Sequence, residues 1–163
     1  MILVICLNHT KHKQSRFDSL AESASLLHNV EVRVVTISAD INLCISAAIL
    51  SLENELITSN QFWSDDPRYS AIVLVFDTAW LADISDIVDR CHNLRGDEMI
   101  FSTIDCHVNI DWIIAHPRSM IRWAAGLPYV SNLDFNIWPN LEDKALQAFY
   151  VWWAQRSNLK VLS

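Results

Sequence analysis

Glycine is scarce in this sequence, which has only Gly96 and Gly126 among its 163 residues. Dinucleotide-binding folds and P-loops need glycine after their first strand, because a side chain there would keep the backbone away from the phosphate. Neither glycine occupies such a position, and no Walker, G-x-G-x-x-G or G-x-S-x-G pattern is present. The sequence therefore argues against a standard Rossmann or P-loop enzyme.

Long apolar runs are also absent. No stretch approaches the roughly 18 apolar residues that a transmembrane helix requires. The apolar start of the chain, residues 1–7, is followed rather than preceded by positive charge, whereas a secretion signal has the reverse order. We therefore expect a protein that does not enter the membrane and that resides in the cytoplasm.

Paired cysteine motifs are missing as well. The four cysteines form no C-x-x-C pair, and each lies in an apolar or helical stretch: Cys6, Cys44, Cys91 and Cys106. Zinc sites and disulfide frameworks usually show characteristic cysteine spacings. The pattern predicts buried, reduced thiols and no structural zinc site.

Basic residues are fewer than acidic ones, 12 against 19, so the formal net charge is −7. Proteins that bind duplex nucleic acid usually present a basic face, and such a partner is not expected here. One local exception is the group of Lys11, Lys13 and Arg16, which lies within six residues. An acidic chain with one basic corner is a candidate for binding a small anionic ligand.

Apolar stretches rich in strand-forming residues alternate with amphipathic stretches along the first two thirds of the chain. They predict strands at residues 1–7, 30–37, 70–77 and 98–104, and helices over about 15–28, 41–56 and 79–95. Strands that alternate with helices form parallel sheets covered on both faces. We expect one α/β domain over residues 1–163, with three α/β/α layers, a mostly parallel sheet in the strand order 2-1-3-4, and a candidate fifth strand.

The pattern is weaker after residue 104. Residues 105–116 fit either the start of a helix or a further strand through WIIAH. Pro117 opens a short helix that we expect to end at Gly126 and Pro128, with mostly irregular chain up to residue 139. A last helix over about 141–156 and a short strand, LKVL, complete the prediction.

The last predicted helix carries apolar and aromatic side chains on more than one face. One face can pack on the sheet. The other residues either fill a groove between the sheet and residues 110–138, or form an interface with a second subunit or another protein. In the second interpretation Phe149, Trp152 and Trp153 anchor the interface, since large aromatic groups are enriched at such contacts.

Polar residues follow three of the predicted strands. In open α/β sheets ligands bind beyond the carboxyl ends of the strands, so these residues share one edge if strands one, three and four are neighbours. Imidazole and carboxylate groups suit acid–base catalysis, and the candidate catalytic residues are His9, Asp77, Asp105 and His107. The alternative is that these are exposed turn residues without a function.

Two other uses of this edge stay open. Free N–H groups at the start of the first helix favour anions, which makes Thr10, Lys13 and Ser15 candidates for phosphate contacts. The carboxylates and imidazoles also suit a divalent metal, but no compact metal motif is present and no metal site is assigned. Thr78 and Trp80 are the remaining candidate binding residues; Trp80 either stacks on a planar ligand or packs in the core.

Several short segments resemble NADPH-dependent FMN reductases, a family of flavodoxin-like domains. They are ILVI at residues 2–5, Ser15, the Leu20–Ala21 pair and SAIVLVF at residues 70–76. The resemblance covers about the first 95 residues, implies a flavodoxin-like sheet and matches Ser15 to the family's phosphate-contacting serine. His9 and Thr10 replace that family's glycine and serine, and residues 77–80 replace its Tyr-Asn-Gly loop, so the resemblance concerns the fold more than flavin binding.

Two functions fit these observations. In the first, the protein binds a phosphorylated or nucleotide-like small molecule at the carboxyl ends of its strands, with or without catalysing a reaction on it. In the second, it is a non-enzymatic interaction module, such as an inhibitor, immunity protein or accessory subunit, that uses the aromatic final helix. Its negative charge would then steer it towards basic targets.

Overall fold

The computed structural model describes residues 1–9, 15–37, 41–61, 63–65, 67–76, 84–104, 107–131 and 143–162. Within these ranges the strands are β1 (Ile2–His9), β2 (Val30–Ile37), β3 (Ala71–Phe76), β4 (Glu98–Ile104), β5 (His107–Ala115) and β6 (Lys160–Leu162). The helices are α1 (Ser15–Ser25), α2 (Ile41–Thr58), α3 (Ser85–Cys91), α4 (Pro117–Ser131) and α5 (Asp143–Arg156). The predicted α/β class is confirmed, and β2 and β4 have the predicted bounds.

The six described strands form one mixed sheet in the order β2-β1-β3-β5-β4-β6. β1 is parallel to β2 and β3, and β4 is parallel to β6, whereas β5 is antiparallel to both of its neighbours, β3 and β4. The predicted order 2-1-3-4 is not confirmed, because β5 separates β3 from β4. Only residues 105–106 connect β4 to β5, and so short a link permits an antiparallel hairpin but no parallel crossover.

Alternate residues of the sheet face two separate apolar clusters. On β1, Leu3 and Leu7 belong to one cluster, and Val4 and Cys6 belong to the other. The first cluster also contains residues of α2, α4 and α5, and the second contains residues of α1 and α3. Every side chain of β3 is buried. Helices therefore cover both faces of the sheet, as its continuous apolar runs predict.

Helix α4 is longer than the sequence predicts. It continues through Gly126 and Pro128, although both residues are local stop signals. Trp123 and Leu127, one turn apart, are fully buried in the core of the protein. The predicted end at Gly126 and Pro128 is wrong. The helix continues because most of the stability of a helix in a protein comes from such packing rather than from local preference.

Helix α5 packs inside the chain, beside α4. Tyr150 is buried, and its hydroxyl donates a hydrogen bond to Oδ1 of Asn42 at 2.5 Å. The indole Nε1 of Trp123 donates to the backbone carbonyl of Tyr150 at 3.2 Å, and Nε1 of Trp153 donates to the carbonyl of Trp123 at 3.0 Å. Of the two interpretations of this helix, these contacts support the one in which it fills a groove in its own chain.

Two cysteines have the predicted environment. Cys6 and Cys91 are buried free thiols, and burial raises the pKa of each to about 12. Cys44 is partly buried, and Cys106 lies outside the described residues. No helix within the described ranges is both long enough and apolar enough to cross a membrane.

Candidate functional site

Most of the residues predicted to form a site lie outside the described part of the chain. These are Thr10, Lys13, Asp77, Thr78, Trp80 and Asp105. The backbone is described for three others: His9 is the last residue of β1, Ser15 is the first residue of α1, and His107 is the first residue of β5. The side chains of these three lie outside the description, so their catalytic and binding roles stay predictions.

The backbones of His9 and His107 lie at the same edge of the sheet. His107 pairs with Ile104, the last residue of β4, and β5 runs antiparallel to β3, so β5 begins where β1, β3 and β4 end. One strand separates β1 from β5, which corresponds to about 10 Å between them. We call this edge, where β1, β3 and β4 end and β5 begins, the carboxyl edge of the sheet. It has one further feature. Oδ1 of Asn8 is buried and has no hydrogen-bond partner among the described residues.

A better-described cavity lies at the opposite edge, where β3 and β4 begin and β5 ends. It has a volume of about 490 Å³ and three arginines in its wall, Arg68, Arg118 and Arg122. His116 also lines it, and we call this cavity the arginine pocket. Apolar and small residues complete much of its wall, among them Leu56, Pro67, Gly96 and Pro117.

The charged residues described in the wall of the arginine pocket are all basic, apart from the titratable His116. No acidic side chain is among the described residues that line it. Arg122 is exposed and makes no ion pair with any described residue. Arg118 lies in the first turn of α4, which contains no acidic residue, although the helix dipole favours acidic residues there and disfavours basic ones.

His116 contributes an uncharged imidazole to the same pocket. Its Nδ1 accepts a hydrogen bond from the backbone N–H of Arg118 at 3.3 Å, so the proton of the neutral ring lies on Nε2. Burial, reinforced by the positive charge of Arg118, lowers the pKa of His116 below its usual value. Near neutral pH His116 is therefore a neutral hydrogen-bond donor in the pocket.

Arg68 is held in place by two carboxylates. Its guanidinium lies 2.8 Å from Oε1 of Glu55 and 3.6 Å from Oε2 of Glu31, and over the ring of Tyr69 at 5.2 Å. The hydroxyl of Tyr69 donates to Oε2 of Glu31 at 2.7 Å. These carboxylates offset the charge of Arg68, whereas Arg122 has no ion-pair partner among the described residues.

Arg33 links the two carboxylates behind the pocket. It donates to Oε1 of Glu31 at 2.7 Å and, with two nitrogens, to Glu55 at 2.9 and 3.1 Å. The hydrogen bond from Arg33 lowers the pKa of Glu55. Burial opposes ionisation of Glu31, but hydrogen bonds from Tyr69 and Arg33 and the nearby positive charges outweigh it, and its pKa is lowered. Burial and the bond to Glu31 raise the pKa of Tyr69 to about 12.

Comparison with known proteins does not identify this chain. No protein-family model matches it, and no curated protein is significantly similar to it in sequence. Among the described residues, no three histidine, cysteine or acidic side chains come close enough together to hold a metal ion. The described residues form a cavity lined by three arginines, with a neutral imidazole beside them.

The sequence contained one local signal for the arginine pocket. Arg118 and Arg122 are four residues apart and therefore share a face of α4. No local pattern connected them with Arg68, which precedes the buried Tyr69 and lies three residues before the start of β3. The pocket was missed because its wall comes from the end of α2, the approach to β3, the turn before β4 and the start of α4, which only the folded chain brings together.

Proposed function

We propose that the protein binds a small phosphate-bearing molecule, and that it does so in the arginine pocket. The observation that carries the proposal is the convergence of Arg68, Arg118 and Arg122 on a cavity of about 490 Å³ without a lining acidic residue among those described. Guanidinium groups bind phosphate through paired, charge-assisted hydrogen bonds. In a chain of net charge −7, such a concentration of positive charge is a local exception.

The size of the cavity and the charge of the chain favour a small ligand over a polymer. Pockets of about 300–1,000 Å³ are typical for small molecules. A net charge of −7 repels long polyanions such as duplex nucleic acid, while a small anion senses mainly the nearby arginines, because salt screens charges beyond about 10 Å. We propose no catalysed reaction, and we retain the cytoplasm as the expected location.

The carboxyl edge of the sheet stays a second proposed location for the same class of ligand. The common edge of His9 and His107 and the buried, unpartnered Oδ1 of Asn8 support it. We also retain the three-layer, flavodoxin-like assignment as a proposal. The order β2-β1-β3 and the helices on both faces support it, while the antiparallel β5 departs from it.

Thermal shift and calorimetric titration with ribose 5-phosphate test the proposal and separate the two locations. Arg122→Gln is expected to weaken binding about tenfold or more, because it removes a charge-assisted hydrogen bond to the phosphate. Arg156→Gln is the matched control, since Arg156 lies on α5 and stacks on Trp152 instead of lining the pocket. Lys13→Ala combined with Ser15→Ala reports on the carboxyl edge.

Each outcome has a defined meaning. Loss of binding in Arg122→Gln, with binding retained in the other variants, supports the arginine pocket. Loss in the Lys13→Ala and Ser15→Ala variant, with Arg122→Gln unaffected, transfers the proposal to the carboxyl edge. If neither ribose 5-phosphate nor inorganic phosphate changes the melting temperature of the wild type, the proposed function is wrong.

A second candidate function is that of a protein-interaction module, which one observation favours. Trp152 of α5 is 49% exposed, and the guanidinium of Arg156 covers one side of its ring at 5.7 Å. Exposed tryptophan beside arginine is a common anchor of protein interfaces. The indole of Trp153 donates a hydrogen bond to the backbone of Trp123 in its own chain, and the side chain of Phe149 lies outside the described part of the structure. The candidate interface is therefore centred on Trp152.

Mass photometry and pull-down experiments test this second function. A dimer or a captured partner that is lost in Trp152→Ala, while the melting temperature is unchanged, would support it. A wild-type protein that stays monomeric at all concentrations and captures no partner would argue strongly against it.

A further inference from the structure

We infer that the ligand of the arginine pocket carries a flat aromatic ring in addition to its phosphate, as a nucleotide does, and that Trp63 stacks on that ring. This inference rests on the proposed function and specifies the class of ligand. It starts from the exposure of Trp63, whose side chain is 68% exposed. Burying the apolar surface of an indole is strongly favourable in water, and most of the surface of this indole is exposed to solvent.

Trp63 lies at the rim of the arginine pocket. The guanidinium of Arg118, which lines the pocket, lies 5.6 Å from the centre of the Trp63 ring. The next residue in the chain, Ser64, is also part of the pocket wall. Trp63 therefore adds an aromatic surface beside Arg118 at the rim of the pocket.

The stack also orients Arg118. A guanidinium that lies on an aromatic face keeps its N–H groups at the edge of the plane, where they can still donate to an anion. Arg118 can therefore contact the indole and a phosphate at the same time. A ligand ring on Trp63 and a phosphate near Arg118 and Arg122 would form one continuous binding surface.

The cavity is larger than a phosphate group requires. Its volume of about 490 Å³ leaves space beside the arginines, and the wall there includes Leu56, Pro67 and Pro117. These side chains offer no charge and suit the sugar and ring of a nucleotide better than further phosphates. The combination of a charged part, an apolar part and an exposed indole matches the three parts of a nucleoside monophosphate.

A comparison of three probes tests the inference: inorganic phosphate, ribose 5-phosphate and AMP, each titrated by calorimetry. Stacking of a base on an aromatic side chain strengthens binding by about tenfold, so AMP is expected to bind about tenfold more tightly than ribose 5-phosphate. Trp63→Leu should remove this difference, so that AMP and ribose 5-phosphate bind this variant with equal affinity. Trp63→Phe should keep part of it, and Trp152→Leu, the matched control on α5, should keep all of it.

The outcomes separate the inference from the function on which it rests. If ribose 5-phosphate binds through Arg122 but AMP binds no more tightly, the aromatic inference is overturned and the proposed function stands. The inference is also overturned if the AMP preference survives in Trp63→Leu. If none of the three probes binds the wild type, both proposals are wrong.

Discussion

The indole ring of Trp153 in α5 lies directly against the backbone of Gly126 in α4. A Cβ atom built on Gly126 would overlap the atoms of this ring, and Nε1 of Trp153 donates to the carbonyl of Trp123 at 3.0 Å. The missing side chain at position 126 therefore leaves room for the indole of Trp153 against α4. This contact explains why position 126 is a glycine, although it lies inside a helix and not at its end.

Replacing Gly126 with alanine is expected to destabilise the protein by about 1–3 kcal/mol, because an added methyl group in a filled space forces neighbours apart. The gain in helix propensity, about 1 kcal/mol, offsets only part of this. Gly96→Ala is the matched control: nothing lies within 4 Å of a Cβ there, so its stability should be unchanged or slightly higher. Urea denaturation measures both variants. A Gly126→Ala protein as stable as the wild type would contradict the close contact.

Arg33→Met is expected to lower stability near neutral pH by about 1 kcal/mol. The value is modest because Arg33 and its carboxylate partners are roughly one-third exposed, so water screens the ion pairs. Arg95→Met, which removes an exposed arginine with no ion pair among the described residues, is the control. Denaturant titrations at several pH values measure the difference between the two variants.

The effect of Arg33→Met should depend on pH in a defined direction. The pKa values of Glu31 and Glu55 are lowered in the folded protein. Their contribution to stability is therefore present above the unfolded-state pKa of about 4.3 and is lost as the pH falls through the lower folded-state values. The difference between wild type and Arg33→Met should shrink in that acidic window. A difference that is constant down to about pH 3 would show that these ion pairs do not stabilise the fold.

His116 should make the protein less stable as the pH falls. Its folded-state pKa lies below the usual 6.5 because of burial and the charge of Arg118, so the unfolded chain binds the proton more readily. The free energy of unfolding is not reduced by His116 above about pH 6.5. It falls as the pH drops below that value and stops falling once the pH is below the folded-state pKa of His116. His116→Asn places an acceptor oxygen near the position of Nδ1 without a titrating ring, and it should flatten this part of the profile.

The control for the histidine experiment is His92→Asn, because His92 is exposed at the end of α3. Thermal melts across the range from about pH 5 to 8 measure all three proteins in the absence of phosphate. His92→Asn should keep the slope of the wild type. A His116→Asn profile as steep as that of the wild type would assign the slope to other groups.

The elements with strong local patterns were predictable from the sequence. The apolar run of β1 and the strand-forming residues of β2 and β4 led to correct strands, because burial on a sheet selects such residues over short windows. β5 was an open alternative, and its place between β3 and β4 was missed. Which strand pairs with which depends on contacts between distant segments, and no local window contains them.

The candidate site was predictable to a smaller extent. Three predicted residues have a described backbone, and His9 and His107 share the expected edge of the sheet. Six lie outside the described residues, so their roles are still predictions. The arginine pocket was not predicted, because exposed arginines normally indicate a solvated surface, and only their convergence distinguishes a site from such a surface.

By itself the sequence determined the class of the protein, the types of its main elements and the acidity of the chain. These properties follow from composition and from the periodicity of apolar residues, which act locally. The tertiary structure alone decided that β5 enters the sheet antiparallel, that α4 runs past Gly126 and Pro128, and that Arg68, Arg118 and Arg122 line one cavity. Each of these depends on packing between segments far apart in the chain, whose free energy outweighs the local preferences that the sequence displays.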